Sequence, residues 1–430
     1  MKLHHRIAKA LGLVTCSLAL ALGSAHALAG DKITLNDGSV LEGEIVREIS
    51  GGVFLKTTVG GIESTRFIGP DDIASIDRGV ETTGENITTP GSSIIQSNDD
   101  DIDDGTIRAA VLSMEGMVGL QMSHFPILDA IPYLEKEGVD VVVLRINSGG
   151  GFTMEVERLH QTIIDELKPR FRVVSWIESA ISAAAMTSHV VEEIYFMPEG
   201  NYGGATQFSG AGNASKGRSL EDVLFRMEKA SAAGGYDIDI ARAMQISTWL
   251  SANIDENGNV EWFDSDQGEY ILNEYGRIFT FNSQNAERFK FSKGTASTID
   301  ELAELMGYQE IKWVGDWEPG IAYPVSKAEQ MQRDWREEIS TAEQRFTEFF
   351  VKYQISLGNA SQQQDADARG RFLGRAKREL AQLERIYKQH RMFSPGGQLT
   401  PAYEGSVMEE LAETWFAEQH DLLRRLRAPR

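Results

Sequence analysis

Between residues 31 and 78 the apolar positions come in short clusters: Ile33-Thr34-Leu35, Val40-Leu41, Val53-Phe54-Leu55 and Ile73 to Ile76. Asn36-Asp37-Gly38 and Gly60-Gly61 separate them, and turn residues between short apolar runs predict hairpins of β-strands. From 106 to 316 the pattern changes. Ile107 to Met114 is an apolar strand, and Pro126 to Lys136 carries apolar residues at 127, 128, 131 and 134, a helical face that Pro132 is expected to kink. Val139 to Ile146 is a β-branched run of the kind buried on both faces of a parallel sheet. Val156, Leu159, Ile163 and Leu167 mark a helix, Arg172 to Ile177 a strand, Ala180 to Val190 a helix and Glu193 to Met197 a strand. This βαβαβαβ order predicts a parallel sheet with right-handed crossover helices. Ile254 and Val260-Glu261-Trp262-Phe263 flank a polar turn and predict a hairpin. Beyond 325 three helical stretches follow, 325–357, 366–391 and 405–427, with breaks at Gly358 and at Pro395-Gly396-Gly397. Trp335, Phe346, Phe349 and Phe350 supply apolar contacts on the first. An antiparallel helical hairpin, an oligomer contact and a solvated appendage all fit these helices.

The amino terminus adds a compartment. Lys2, Arg6 and Lys9 precede an apolar run, Leu11 to Leu22, which ends in Ala25-His26-Ala27 and Ala27-Leu28-Ala29. A secretory signal peptide over 1–29 is expected, with the mature chain periplasmic or extracellular. A membrane anchor is the competing reading, but the run falls short of the roughly 20 residues of a span. Removing the peptide removes Cys16, the one cysteine, so no disulfide is expected.

With 430 residues, 41% hydrophobic and 25% charged, the chain is long enough for two or three domains. The net charge of -22 argues against nucleic acid as a partner and against simple attraction to anionic lipid. Residues 79–105, rich in Thr, Ser, Gly and then Asp, read as a linker. Counted from Asp99 as a calcium loop, they put Asp104 where glycine is required, so a solvated acidic segment is the better reading. No cluster has metal-ligand spacing, and neither metal nor cofactor is expected.

Two segments carry candidate chemistry. Arg145-Ile146-Asn147-Ser148-Gly149-Gly150-Gly151 follows a buried strand, and ligands of open α/β sheets bind at such strand ends. Glycines there permit close approach of a substrate, and consecutive backbone N–H groups can hold a developing oxyanion. No Gly-Lys-Ser/Thr follows, so this is not a nucleotide loop. The second segment is Glu178-Ser179-Ala180-Ile181-Ser182-Ala183-Ala184-Ala185-Met186. A serine opening a helix suits a nucleophile electrostatically, and equally suits an N-cap.

Taken together, "VVVLRINSGGG" and "ESAISAAAMTSHVVEEIYFMPEGNYGGAT" resemble the Clp/crotonase superfamily. The resemblance is to the NfeD-type membrane serine proteases, the Clp protease proteolytic subunit and signal peptide peptidase A. "RIFTFNSQNAERFKFSKGTASTIDELAELMG" resembles the closing segment of these domains, so the likeness covers roughly 107–307. It implies a ClpP/crotonase-like domain over 106–316. Ser182 would be the nucleophile, with Gly150, Gly151 and Ala183 forming the oxyanion hole. Gly149 stands where the family usually has proline. The pattern "LNDGSVLEGEIV…GGVFLKTT…IDR" resembles a small Sm/SH3-like β-barrel over 30–78, with a β-rich extension of the main domain as the alternative.

A serine nucleophile needs a base. Where the Clp subunit has histidine, this chain has Thr206 and Gln207. His189 lies seven residues past Ser182, about 10 Å along a helix, and a core or surface role suits it better. The NfeD-type enzymes use a serine–lysine dyad, and "NASKGRSLEDVLFRMEKASAAGG" places Lys216 at the matching position before a helix over 219–232. Partial desolvation beside Ser182 would fit it for proton transfer. An exposed loop lysine is the plainer reading of Lys216, and Lys229 is a rival base. The expected function is an exported, ATP-independent serine peptidase acting on proteins or peptides. A homo-oligomer and a membrane-associated partner are expected with it. The alternatives are a catalytically inactive scaffold of the same fold and a crotonase-type acyl-CoA enzyme, the latter disfavoured by export.

Overall fold

In a computed structural model, residues 31–36, 40–49, 52–59, 62–68, 73–78, 106–209, 213–393, 403 and 406–427 are described. The proposed leader, the linker, the Asp37-Gly38 and Gly60-Gly61 turns and Pro395-Gly396-Gly397 lie outside them.

The first strands are β1 (Asp31–Leu35), β2 (Val40–Ile49), β3 (Gly52–Val59), β4 (Ile62–Ile68) and β5 (Ile73–Asp77). They form one antiparallel sheet in the order β4-β3-β2-β1-β5. Ile33, Val53, Leu55 and Ile68 are its buried core. Among the described residues no pairing joins β4 to β5.

The central unit begins with β6 (Arg108–Glu115), α1 (His124–Lys136), β7 (Val141–Ser148) and α2 (Thr153–Gln161). Helix α2 runs on into a π-helical turn, Thr162–Leu167. Next come β8 (Arg172–Ile181), α3 (Ala183–Ser188), β9 (Glu193–Gly203) and the short pair β10 (Phe208–Ser209) and β11 (Asn213–Ala214). Helices α4 (Arg218–Gly234) and α5 (Ile238–Gln245) precede the strands β12 (Leu250–Ile254), β13 (Val260–Phe263) and β14 (Tyr270–Asn273), which form a small sheet. The unit closes with β15 (Thr280–Asn282), α6 (Ser283–Arg288), α7 (Ile299–Leu305) and β16 (Lys312–Trp313).

The main sheet has the order β15-β9-β8-β7-β6-β16. Its β16, β6, β7, β8 and β9 are parallel, and β15 is an antiparallel edge. Alternation along the strands sorts two cores. Ala110, Leu112, Val142, Leu144 and Ile146 join one with α1, α2 and α4, while Ala109, Val111, Val143 and Trp176 join the other with Ile299, Leu302 and Tyr323. The mixed α/β architecture with a parallel sheet is thus as the hydrophobic pattern predicts.

Three boundaries differ from that pattern. Strand β8 runs to Ile181, four residues past its apolar stretch, because Ser179, Ala180 and Ile181 pair with Asn201, Tyr202 and Gly203 after a register shift. Helix α3 therefore starts at Ala183 rather than Ala180. Gly358 lies inside the long helix Lys327–Gln362 without breaking it. A glycine costs about 1 kcal/mol there relative to alanine, and burial of Tyr353, Ser356 and Ala360 holds the last turns in place.

The helical C-terminal region comprises α8 (Lys327–Gln362), α9 (Ala366–Gln389) and α10 (Val407–Arg427). Helices α8 and α9 fold back on each other across a three-residue connection. Ile339, Phe346, Tyr353, Leu380, Leu383 and Phe416 share one core, which rules out a merely solvated appendage. That core also takes in Leu120, from the loop after β6, and the partly buried Phe152. Glu329, fully buried, fastens α8 to β6. It accepts from the Ser113 backbone N–H at 2.7 Å, from the Ser113 hydroxyl, and from the Tyr323 hydroxyl at 3.3 Å. Burial pushes its carboxyl above the usual range.

Candidate active site

Strand β7 delivers the glycine turn. Ser148 Oγ donates to the Gly116 carbonyl at 2.6 Å and accepts from the Gly150 N–H at 3.1 Å. Gly150 has φ +99, a conformation open to glycine at little cost. Its carbonyl accepts from the Val118 N–H at 3.0 Å, and the Phe152 N–H donates to the Val118 carbonyl at 2.9 Å. In a trans peptide the N–H points opposite to the C=O. The Gly151 N–H is therefore aimed away from Val118.

Strand β8 delivers Ser182 at φ 57 and ψ -125. A non-glycine residue in the left-handed region costs on the order of 1–3 kcal/mol. Its N–H donates to the Gly203 carbonyl at 2.9 Å, which pins the turn to β9. Ser182 occupies the N-cap position of α3 yet its side chain makes no capping hydrogen bond. The capping role that serine ordinarily fills there is thus not the one it performs. Ala183, Ala184 and Ala185 behind it are fully buried.

The two segments meet. A Cβ built on Gly150 would lie 2.6 Å from Ser182 Cβ and 3.1 Å from Ala183 N. Gly150, Ser182 and Ala183 therefore lie against one another. Lys216 stands exposed between β11 and α4, with no hydrogen bond or ion pair among the described residues. Lys229 is also exposed, on α4, with its ammonium 4.7 Å from the Phe225 ring centroid.

A cavity of about 450 Å³ lies beside α3, walled by α2 and α4. Val156, His160, Met186, Gln207, Phe225 and Lys229 are among its lining residues, whereas Ser182 and Lys216 are not. His160 Nε2 donates to the Met186 carbonyl at 2.7 Å, and burial lowers its pKa. His189 is fully buried. The Tyr202 hydroxyl donates to the Ala185 carbonyl at 2.6 Å, so it accepts from His189 Nδ1 at 3.0 Å. His189 Nε2 then accepts from Ser231 Oγ at 3.0 Å. Burial pushes this imidazole down to about 3. His189 is thus a core histidine, one of the two roles that its spacing from Ser182 left open.

Sequence reasoning passes over two polar clusters near the glycine turn. Arg145 pairs with Glu115 at 2.6 Å and with Glu178, which also accepts from Asn147 Nδ2 at 2.9 Å. Glu155, on the first turn of α2, is fully buried. For Arg145, a charge in the apolar run of β7 was the available signal; for Glu155, among other charged residues of α2, there was none. Among the described residues no group of three His, Cys, Asp or Glu side chains is arranged to hold a metal ion.

Residues 112–314 match the family model of the NfeD1b N-terminal domain. The resemblance to NfeD-type proteins is thereby found over the segment that carries both glycine turn and serine. Membrane protein NfeD1b of Bacillus subtilis is 25% identical over 171 residues, covering 40% of this chain and 35% of that protein. The match thus spans about a third of the relative's length. Among solved structures, an alanine mutant of the 1510-N membrane-bound stomatin-specific protease aligns with TM-score 0.35 and 12% identity, covering 49% of this chain and 99% of that one. ClpP1 from Listeria monocytogenes aligns with TM-score 0.29 and 17% identity, covering 45% of this chain and 94% of that one. Likenesses at these scores add nothing to the fold read from the chain itself. Among the described residues no helix is long and apolar enough to cross a membrane.

Proposed function

We propose that this chain is a serine peptidase of the NfeD type, hydrolysing peptide bonds in protein or peptide substrates without ATP. The observation that carries it is Ser182: a strained serine, free of capping duty, pressed against a turn that only glycine can form. Strain of this kind persists where the surroundings over-determine it, and it clusters at reactive sites. In this reading Ser182 Oγ attacks the substrate carbonyl carbon while the Lys216 amine takes the hydroxyl proton. The Ala183 and Gly151 N–H groups receive the oxyanion. The ammonium then protonates the leaving amine, and water hydrolyses the acyl-enzyme with Lys216 again as base.

Lys216 needs desolvation for this role, which its exposed position does not itself supply. Burial against a second copy would supply it, in keeping with a homo-oligomer. The same exposure favours a second reading, an inactive scaffold of the same fold. Fluorophosphonate labelling decides between them. An adduct on Ser182, absent from Ser182→Ala, supports the peptidase; a folded chain that takes no label favours the scaffold.

The further elements of the proposal are export to the periplasm or medium by the leader at 1–29, and a barrel-like assembly module over 30–78. A membrane-associated partner accords with the name of the Bacillus relative. Limited proteolysis tests the module: cleavage within 79–105 should release residues 30–78 whole, and resistance there would refute a separate unit.

A further inference from the structure

Glu155 carries no surface exposure, yet it is ringed by donors. Its Oε1 accepts from Ser123 Oγ at 2.9 Å and from the His124 backbone N–H at 2.7 Å, and His124 Nδ1 lies 2.7 Å away. Its other oxygen accepts from the Tyr403 hydroxyl. The Arg158 guanidinium caps the Tyr403 ring at 3.8 Å from the centroid. Burial, with the Glu155 charge beside it, pushes the Tyr403 phenol up, so its O–H stays the donor.

The position of this carboxylate in the chain gives it leverage. It sits four residues after Gly151, in the first turn of α2. Ser123, which it holds, is the N-cap of α1. Between Ser148 and Glu155 on one side, and Gly116 and Ser123 on the other, two loops run together. Val118 bonds the Gly150 carbonyl and the Phe152 N–H across them. Ser148 closes one end through Gly116, and Glu155 closes the other through Ser123 and His124. Helix α8 grips the outer loop as well: Trp335 Nε1 donates to the Leu120 carbonyl at 2.9 Å and Gln121 Nε2 to Glu343 at 3.2 Å.

We infer that Glu155 is a positioning residue. Through Glu155 and the paired loops, Tyr403 of the C-terminal region sets the plane of the Gly150–Gly151 peptide against Ser182. Tyr403, which lies between α9 and α10, then acts on the active site without touching a reacting atom. The inference rests on the reading of Ser182 as nucleophile, because only then does the direction of the Gly151 N–H matter to a reaction.

The test uses the full chain with Glu155→Gln, Tyr403→Phe and the double variant. In Glu155→Gln the carboxamide oxygen can still serve Ser123 and His124, while its NH2 can only donate to Tyr403 Oη, a neutral contact in place of the charge-assisted one. Tyr403→Phe removes that contact altogether, so both single changes act on the same link. Two readouts are taken: hydrogen exchange at 117–123 and 149–152, and the rate of fluorophosphonate labelling at Ser182. Misplaced donors lower reactivity steeply, and we expect labelling to slow about tenfold in each single variant. Exchange should rise in the two loops and not in β7 or β8. The double variant should match the singles, since coupled residues are not additive. Unchanged labelling and exchange in both singles would overturn the inference, as would effects that add. A wild-type chain that takes no label sinks the nucleophile reading alone. Exchange then decides separately: loop protection lost in both variants supports the clamp, and protection kept refutes it.

Discussion

Gly150 and Ser182 are so closely apposed that a methyl group on Gly150 would stand 2.6 Å from Ser182 Cβ and 2.8 Å from the Ile181 carbonyl oxygen. Gly150→Ala must therefore move the serine turn, at a backbone angle of φ +99 that alanine resists. We expect a loss of about 2–3 kcal/mol in urea denaturation together with loss of labelling at Ser182. Retention of both would show that the turn tolerates a Cβ.

Lys216 is exposed, so Lys216→Ala should leave stability within about 0.5 kcal/mol. Acylation of Ser182 should nevertheless disappear if Lys216 is the base. Lys229→Ala, which removes a cation from the Phe225 ring and from the cavity wall, is the matched control. Labelling lost only in the Lys229 variant would transfer the role.

The sheet was legible because its strands are nearly all apolar. Runs such as Val139 to Ile146 have one outcome when helices cover both faces. A pairing of the glycine turn with Ser182 was implied only by the resemblance of the two motifs to the Clp/crotonase superfamily. The extension of β8 to Ile181 was not, because pairing with Asn201–Gly203 overrides residues that on their own suit a helix start. The clamp at Glu155 was hidden for a similar reason. Its partners Ser123 and Tyr403 come from opposite sides of it in the chain, and a single buried glutamate has no periodicity to announce it. Gly358 misled in the other direction, since its local cost is small beside the packing of α8.

His189 gives stability a pH dependence. Its ordinary value of 6.5 is pushed down to about 3 in the fold. Below pH 6.5 the unfolded chain binds a proton that the folded chain refuses. Its contribution is thus complete above 6.5 and lost progressively as pH falls toward about 3. Between pH 7 and 5 the loss is on the order of 2 kcal/mol. The wild-type urea midpoint should fall over this range more steeply than that of His189→Gln. His160, lowered by burial as well, is present in both chains and cancels. Equal slopes would mean that His189 is protonated in the fold.

Glu329 accepts from two groups of Ser113 and from Tyr323 in a buried site, with Arg336 3.7 Å away. Glu329→Ala strands these donors without a partner. A loss of about 3 kcal/mol is expected, with faster hydrogen exchange in β6 and the first turns of α8. A loss below about 1 kcal/mol would show that solvent replaces the carboxylate.

The length of α8 has a mechanical consequence. At 1.5 Å per residue its 36 residues reach about 54 Å, roughly twice the length of β6. Glu329, Trp335 and Glu343 tie its first half to the central unit. With Glu343 as fulcrum, about two degrees of tilt swings Gln362 through about 1 Å. The helix is a lever whose short arm rests on the loop beside Gly150, and a load at its far end would be felt there as torque.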